Sequence, residues 1–242
     1  MNHTAIITGA SGGIGSAIAK KMAERGYSLV LLGNHARDAL EETAEHCRNY
    51  GVRADILFGN LSSYAEASQV ITQAHELLGR TDCLINCAGV SHIGLMTDMT
   101  DIEWRHIIDS NLSSVFYCCR SIVPCMVHEK KGRILNISSI WGNTGASCET
   151  AYSASKGGLN AFTKALAKEL APSGIAVNAL SCGLIDTAMN ACLSEEEKQA
   201  LCEEIPAGRM GTPAEVAEMT ALLIEAPDYL TGQVITIDGA WQ

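Results

Sequence analysis

Seven short apolar runs punctuate the chain: TAIIT (Thr4 to Thr8), SLVLL (Ser28 to Leu32), ADILF (Ala54 to Phe58), CLINC (Cys83 to Cys87), RILNIS (Arg133 to Ser138), IAVNAL (Ile175 to Leu180) and VITID (Val234 to Asp238). They read as short strands apolar on both faces, as in a buried parallel sheet. Between them, IGSAIAKKMAERG, DALEETAEHCRNYG and AEASQVITQAHELLG repeat apolar residues at helical spacing and stop at or near Gly26, Gly51 and Gly79. Glycine tolerates the left-handed backbone that ends a helix. Strand and helix in unbroken alternation predict one doubly wound α/β domain spanning residues 1–242, with a parallel sheet of about seven strands, helices on both faces and right-handed crossovers. No Pro- or Ser-rich linker, repeat or low-complexity tract offers a domain boundary.

The formal net charge of −10 argues against general affinity for nucleic acid or anionic membrane, because phosphate binding needs clustered Lys and Arg. The ten cysteines, among them Cys83, Cys87, Cys118, Cys119 and Cys125, are scattered and include no Cys-x-x-Cys pair. Free thiols in a reducing compartment are expected, not a metal site or a disulfide framework. The start MNHTAIITGASGG has neither a charged leader nor a long apolar stretch, and no later run approaches a membrane span. A cytoplasmic protein is expected.

After the first strand comes TGASGGIG, with Gly9, Gly13 and Gly15 at a strand-to-helix turn. Glycines there let backbone approach a pyrophosphate, and the following helix N-terminus offers free N–H groups and a partial positive charge. Alone, the turn is also compatible with an ordinary tight loop. It lacks the Gly-Lys-Ser/Thr of a nucleoside triphosphate loop, which points to a dinucleotide in a Rossmann-type domain. The second strand ends in LLGNHARD, and no carboxylate stands at Gly33, Asn34 or His35 to grip a ribose 2′-hydroxyl. With His35 and Arg37 as cationic neighbours, this tilts the reading toward NADP and leaves NAD open. Arg37 has an equally good reading as the start of a solvated helix.

RILNISSIWG ends a strand with Ser138 and Ser139, where ligands of such sheets bind, and AYSASKGG follows with Tyr152 and Lys156 one helical turn apart. A phenol with an ordinary pKa of about 10 is a poor proton donor at neutral pH, and a neighbouring cation brings it toward the working range. Lys156 is expected to supply that cation, Tyr152 the proton, and Ser139 a hydrogen bond to a substrate carbonyl as charge develops on it. Singly, Ser139 reads as a turn residue, Tyr152 as a half-buried aromatic and Lys156 as a solvated helix residue. Their coincidence with the glycine turn makes the case.

Taken together, TGASGGIG, NCAG (Asn86 to Gly89), Asn111 in DSNLSSVF, the set Ser139, Tyr152 and Lys156, SCGLIDTAM (Ser181 to Met189) and YLTGQVITIDGAW resemble the short-chain dehydrogenase/reductase family over essentially the whole chain. The resemblance implies that Asn111 holds, through its helix backbone, a water in a proton relay from Tyr152 and Lys156 to solvent. It implies a cofactor held by Gly9, Ser11, Gly12, Gly13, Ile14 and Gly15, by Asn34, His35 and Arg37, by Asn60 and Leu61, by Asn86, Ala88 and Gly89, and by Gly183, Ile185 and Thr187, together with Tyr152 and Lys156. A homotetramer is also implied, with the helices around Asn111 and Tyr152 and the C-terminal segment as contact surfaces. Four departures stand out: Cys87 replaces a usual Asn, Cys182 a usual Pro, Asn60 a usual Asp, and Gly12 a frequent Arg that favours NADP.

Within the family, EIPAGRMGTPAEVA and YLTGQ resemble 3-oxoacyl-[acyl-carrier-protein] reductases, which use NADPH. Their carrier is acidic, and HEKKGR (His128 to Arg133) is the one compact basic cluster, which also reads as a solvated helix end. SSIWGNTGASCETAYSASKG resembles instead the elongation factor P 5-aminopentanone reductases, which reduce a ketone on a modified lysine. Trp141 and Glu149 would then face the substrate, with Glu149 binding its amine, although Glu149 also suits a helix N-terminus and Trp141 a core. Residues 188–211 resemble a substrate lid. A dinucleotide sensor without turnover is the rival of another class, and the intact acid–base set counts against it.

Overall fold

A computed structural model describes residues 3–190 and 194–242 of the chain. The apolar runs form β1 (Thr4–Thr8), β2 (Ser28–Gly33), β3 (Ala54–Phe58), β4 (Cys83–Asn86), β5 (Gly132–Ser139), β6 (Ile175–Cys182) and β7 (Val234–Ile237). They pair in parallel in the order β3-β2-β1-β4-β5-β6-β7. Between them lie α1 (Gly13–Glu24), α2 (Arg37–Arg48), α3 (Tyr64–Leu78), α4 (Asp101–Ile108), α5 (Ser114–Glu129), the short α6 (Trp141–Thr144), α7 (Thr150–Leu170), α8 (Glu195–Glu204) and α9 (Pro213–Glu225).

The two-faced apolar character of the strands follows from alternation. On β1, Ile7 packs with Leu29, Leu31 and Ile85 under Ile18 and Met22 of α1, Leu40 of α2 and Val216 of α9. Its neighbour Ile6 points the other way, with Val30 and Leu84, toward Ile71 of α3, Ile122 of α5 and Leu159 of α7. Successive residues of a strand face opposite sides, so a sheet covered twice needs apolar residues at both. The edge strands β3 and β7 depart from this expectation: most of their residues are only partly buried, because each has a neighbour on one side alone.

Gly26, Gly51 and Gly79 all take positive φ just beyond α1, α2 and α3, as the stop signals require. β5 and β6 run further toward their carboxyl ends than the apolar pattern indicates, pairing Ser138 with Ser181 and Ser139 with Cys182. The cluster His128 to Arg133 spans the end of α5 and the start of β5, at the amino edge of the sheet. There Arg133 donates to the Ala226 carbonyl and pairs with Asp228. Within 188–211, positions 191–193 lie outside the described residues; α8 starts in a capping box between Ser194 and Glu197. No helix among the described residues is long and apolar enough to cross a membrane.

Because Ile85 is fully buried in the central sheet, Ile85→Ala should cost about 2–5 kcal/mol. The shift of the urea unfolding midpoint measures it; a loss under about 1 kcal/mol would contradict the packing described.

Candidate active site

The strand order reverses at β1 and β4, and a cleft of about 860 Å³ opens beyond their carboxyl ends. One wall is the glycine turn. Gly9 has φ +67°, and a Cβ there would stand 2.7 Å from the Ala88 Cα; at Gly15 it would stand 2.1 Å from the Gly9 carbonyl oxygen. Both positions therefore exclude a side chain, and the turn closes tightly, with the Gly12 N–H donating to the Gly9 carbonyl at 3.1 Å. Gly12 is the N-cap of α1 and brings no side chain to its free N–H groups, which line the cleft at Gly13, Ile14 and Gly15. Thr8 fixes the opposite lip by accepting from the N–H groups of Cys87 and Ala88, each at 3.0 Å.

The cleft lining includes Ser11 and Gly12 at the turn, Asn34 and His35 after β2, Asn60 and Leu61 after β3, Ala88 and Gly89 after β4, and Gly183, Ile185 and Thr187 after β6. No carboxylate occurs among the described lining residues beside Asn34 and Asn60. Two expected cofactor residues stand apart from this lining. Asn86 is buried behind it, its amide donating to Asn136 Oδ1 at 2.9 Å, because its side chain faces the core side of β4. Arg37 lays its guanidinium 4.3 Å from the Phe58 ring centroid, a cation–π contact that holds it at the β3 edge. A cation that sequence reasoning passed over is Lys20, in a smaller groove between α1 and α2 that shares Ser11, Gly12 and Gly13 with the cleft. The cradle and the open helix terminus fit a dinucleotide pyrophosphate.

At the other end, Ser139 closes β5, while Tyr152 and Lys156 occupy successive turns of α7. Ser139 and Tyr152 both line the cleft, and Ser139 Oγ accepts from the Trp141 N–H at 3.2 Å. Lys156 is buried and donates to the Ile137 carbonyl at 2.9 Å, with its ammonium 5.7 Å from the Tyr152 ring centroid. The expectation that Lys156 draws the phenol pKa down is not met in this geometry. Burial pushes Tyr152 up, the Ser139 hydroxyl opposes it, and desolvation lowers Lys156.

Asn111 lies in a π-helical turn, Asp109–Ser113, between α4 and α5. Such turns break the regular backbone ladder and recur at functional sites. Its side chain is spent on structure: Oδ1 accepts from the Val90 N–H at 2.8 Å, and Nδ2 donates to the Val90 carbonyl and to Ser155. Behind Ser139, a chain of hydrogen bonds runs from Ser138 to Asn160, Asn143 and Ser181 and locks α6 and α7 to the strands.

Beyond Tyr152 the cleft is lined by Ile93, Trp141, Glu149, Leu184, Met189, Leu201 and Trp241. Glu149 is half-buried; desolvation raises its pKa, and the Trp141 indole opposes the rise. Two thiols, Cys87 and Cys182, border Lys156, and burial pushes each up to about 12, so both stay protonated. Among the described residues no group of three or more His, Cys, Asp or Glu is placed to hold a metal ion.

The short chain dehydrogenase family model matches residues 3–198. The chain belongs to that family. It is 42% identical to the uncharacterized oxidoreductase YmfI of Bacillus subtilis, over 100% of this chain and 99% of that one. It is 39% identical to the 3-oxoacyl-[acyl-carrier-protein] reductase FabG of Aquifex aeolicus, over 97% and 95%. The crystal structure of an actinorhodin polyketide ketoreductase variant with NADPH superposes with a TM-score of 0.94 at 33% identity, over 99% of this chain and 97% of that one. This short-chain dehydrogenase is accordingly an NAD(P)-dependent oxidoreductase, and the reading as a sensor without turnover gives way.

Gly15→Ala should weaken NADPH binding at least about tenfold, because the new methyl group meets backbone and the cradle must open. Fluorescence titration of NADPH tests this; unchanged affinity would show that the turn has slack.

Proposed function

We propose that the protein reduces a ketone to a secondary alcohol with NADPH. The observation that carries this reading is the meeting of Ser139 and Tyr152 on the cleft wall, with Lys156 buried one turn away and its ammonium 5.7 Å from the Tyr152 ring centroid. A dinucleotide held by the glycine turn and by the residues after β4 and β6 would supply hydride chemistry at the carbonyl carbon. Ser139 and Tyr152 hold the carbonyl oxygen, and Tyr152 passes its proton to that oxygen, so hydride and proton together complete the alcohol. The phenol is protonated at neutral pH, the state needed for reduction, while burial raises its pKa and so opposes release of the proton until charge develops on the substrate oxygen. As the proton leaves, Lys156 stabilises the phenolate, and the irregular backbone at Asn111 holds the water through which a proton returns. Within 188–211 the described residues Ala188, Met189, Asn190 and Leu201 line the cleft, which supports a lid that excludes water from the reaction.

The lack of a carboxylate beside Asn34, together with His35, supports NADPH over NADH. On the family resemblance we place this chemistry in a cytoplasmic homotetramer. Two substrates compete. A 3-oxoacyl thioester on an acyl carrier protein is favoured by the names of the relatives such as that of Aquifex aeolicus. A ketone on elongation factor P that carries an amine is favoured by Glu149, a half-buried carboxylate in the substrate end of the cleft. Two features weigh against the acidic carrier: the basic cluster at His128 to Arg133 lies at the far edge of the sheet, and α8 presents Glu195, Glu196, Glu197, Glu203 and Glu204 against the single cation Lys198. We therefore favour the amine-bearing ketone.

NADPH oxidation with a ketone panel tests the chemistry. Tyr152→Phe should lower kcat at least about a thousandfold while leaving NADPH affinity within about threefold. Retained turnover would remove Tyr152 as the acid. For the substrate, Glu149→Gln should lower kcat/KM for elongation factor P bearing the amino ketone by about tenfold to a hundredfold. Faster reduction of acetoacetyl-coenzyme A than of that protein by the unaltered enzyme would return the reading to the acyl carrier.

A further inference from the structure

The chain's penultimate residue is held at the active site with unusual care. Beyond β7 the backbone turns through Gly239 and Ala240, both at positive φ, a conformation that costs an alanine energy. Asp238 straps the turn by accepting from the N–H groups of Ala240 and Gln242, each at 3.0 Å. The Gly239 carbonyl accepts from the Ala207 N–H at 3.1 Å, and the Gln242 amide donates to Thr144 Oγ1 of α6 at 2.6 Å. The product of these ties is the placement of Trp241: its indole lies edge-on to Trp141, ring centroids 5.1 Å apart, and both line the cleft.

Glu149 lines the same cleft, close enough to Trp141 for the indole to oppose the rise of its pKa on burial. Among the described residues Glu149 has no ion pair, and the single Lys or Arg lining the cleft is Lys156, which is directed at the Ile137 carbonyl. A carboxylate and two indoles without a resident cation make a site complementary to an ammonium: the carboxylate supplies charge, and an aromatic face supplies attraction that strengthens as water leaves.

We infer that Trp241 is a substrate-binding residue, which with Trp141 forms an aromatic wall for the ammonium group that Glu149 pairs, and so selects cationic over neutral ketones. This rests on the amine-bearing ketone reading above. The C-terminal tail is thus part of the substrate site of its own chain.

The test uses two ketones of matched shape, 5-(dimethylamino)pentan-2-one, whose tertiary amine is charged at neutral pH and cannot cyclise to an imine, and neutral 6-methylheptan-2-one. The unaltered enzyme with NADPH should prefer the cation at least about tenfold in kcat/KM, mainly through KM. Trp241→Leu, which keeps apolar bulk and removes the π face, should lower that ratio about tenfold, and Trp241→Phe should keep it within about threefold. A ratio unmoved by Trp241→Leu, or a preference for the neutral ketone, overturns the inference and leaves ketone reduction standing. If neither ketone is reduced, the ketone reading is what fails. Calorimetric titration of the NADP-loaded protein with 5-(dimethylamino)pentan-2-ol then decides the site: binding weakened by Trp241→Leu and kept by Trp241→Phe supports it, and any other result overturns it.

Discussion

A buried ammonium with a backbone carbonyl for its partner holds the reacting end of this molecule together. Lys156 reaches from α7 to the Ile137 carbonyl of β5, and that tie fixes the helix at the height where Tyr152 meets Ser139. The same pair of elements is joined deeper down by Asn136 to Thr163 and Ser138 to Asn160, both between buried side chains. Leaving any of these polar groups unpaired in the interior would be costly, so the set specifies one register of α7 against the sheet. A shift of one residue along the helix would break all three contacts and separate the phenol from the serine.

The surroundings of Lys156 set its electrostatic state. Cys87 and Cys182 border it where the family usually has an Asn and a Pro, and a protonated thiol is a weaker hydrogen-bonding group than an amide. Desolvation therefore outweighs the stabilising influence of the thiols and lowers the Lys156 pKa. The tyrosine responds to the same dryness in the opposite sense, because burial disfavours whichever form is charged. Both shifts disfavour the charged form of their group. Charge that develops there during a reaction is then little screened by water, which is the condition under which fixed donors such as Ser139 act most strongly.

What sequence reasoning reached, and what it missed, divide along the range of the forces involved. Strand positions were legible because alternation and burial act locally; β1 and β3 begin and end at the residues the apolar pattern indicates. The glycine turn was legible because the steric demand at Gly9 and Gly15 is absolute. The stacking of Arg37 on Phe58 and the inward turn of Asn86 depend on side chains brought together by the sheet, so spacing carried no sign of them. The π-helical turn at Asn111 leaves no mark in composition, and neither does the tie of Gln242 to Thr144 that brings the segment after β7 back onto α6.

The distribution of charge limits what can approach the site. The chain carries a formal net charge of −10, α8 beside the cleft is dominated by glutamates, and Glu149 lies within. An anionic partner meets like charge outside the cleft and an unpaired carboxylate inside it, whereas a cationic group is attracted at long range and then finds a partner. The apolar lining at Ile93, Leu184, Met189 and Leu201 tolerates an alkyl chain of either substrate class and so cannot discriminate between them. Discrimination falls to the few polar and aromatic groups, because a half-buried carboxylate that a ligand desolvates without pairing penalises that ligand. On the proposed reading, a site of this composition gains selectivity chiefly by rejecting neutral ketones, and carbonyl chemistry at Ser139, Tyr152 and Lys156 serves a charged substrate without change.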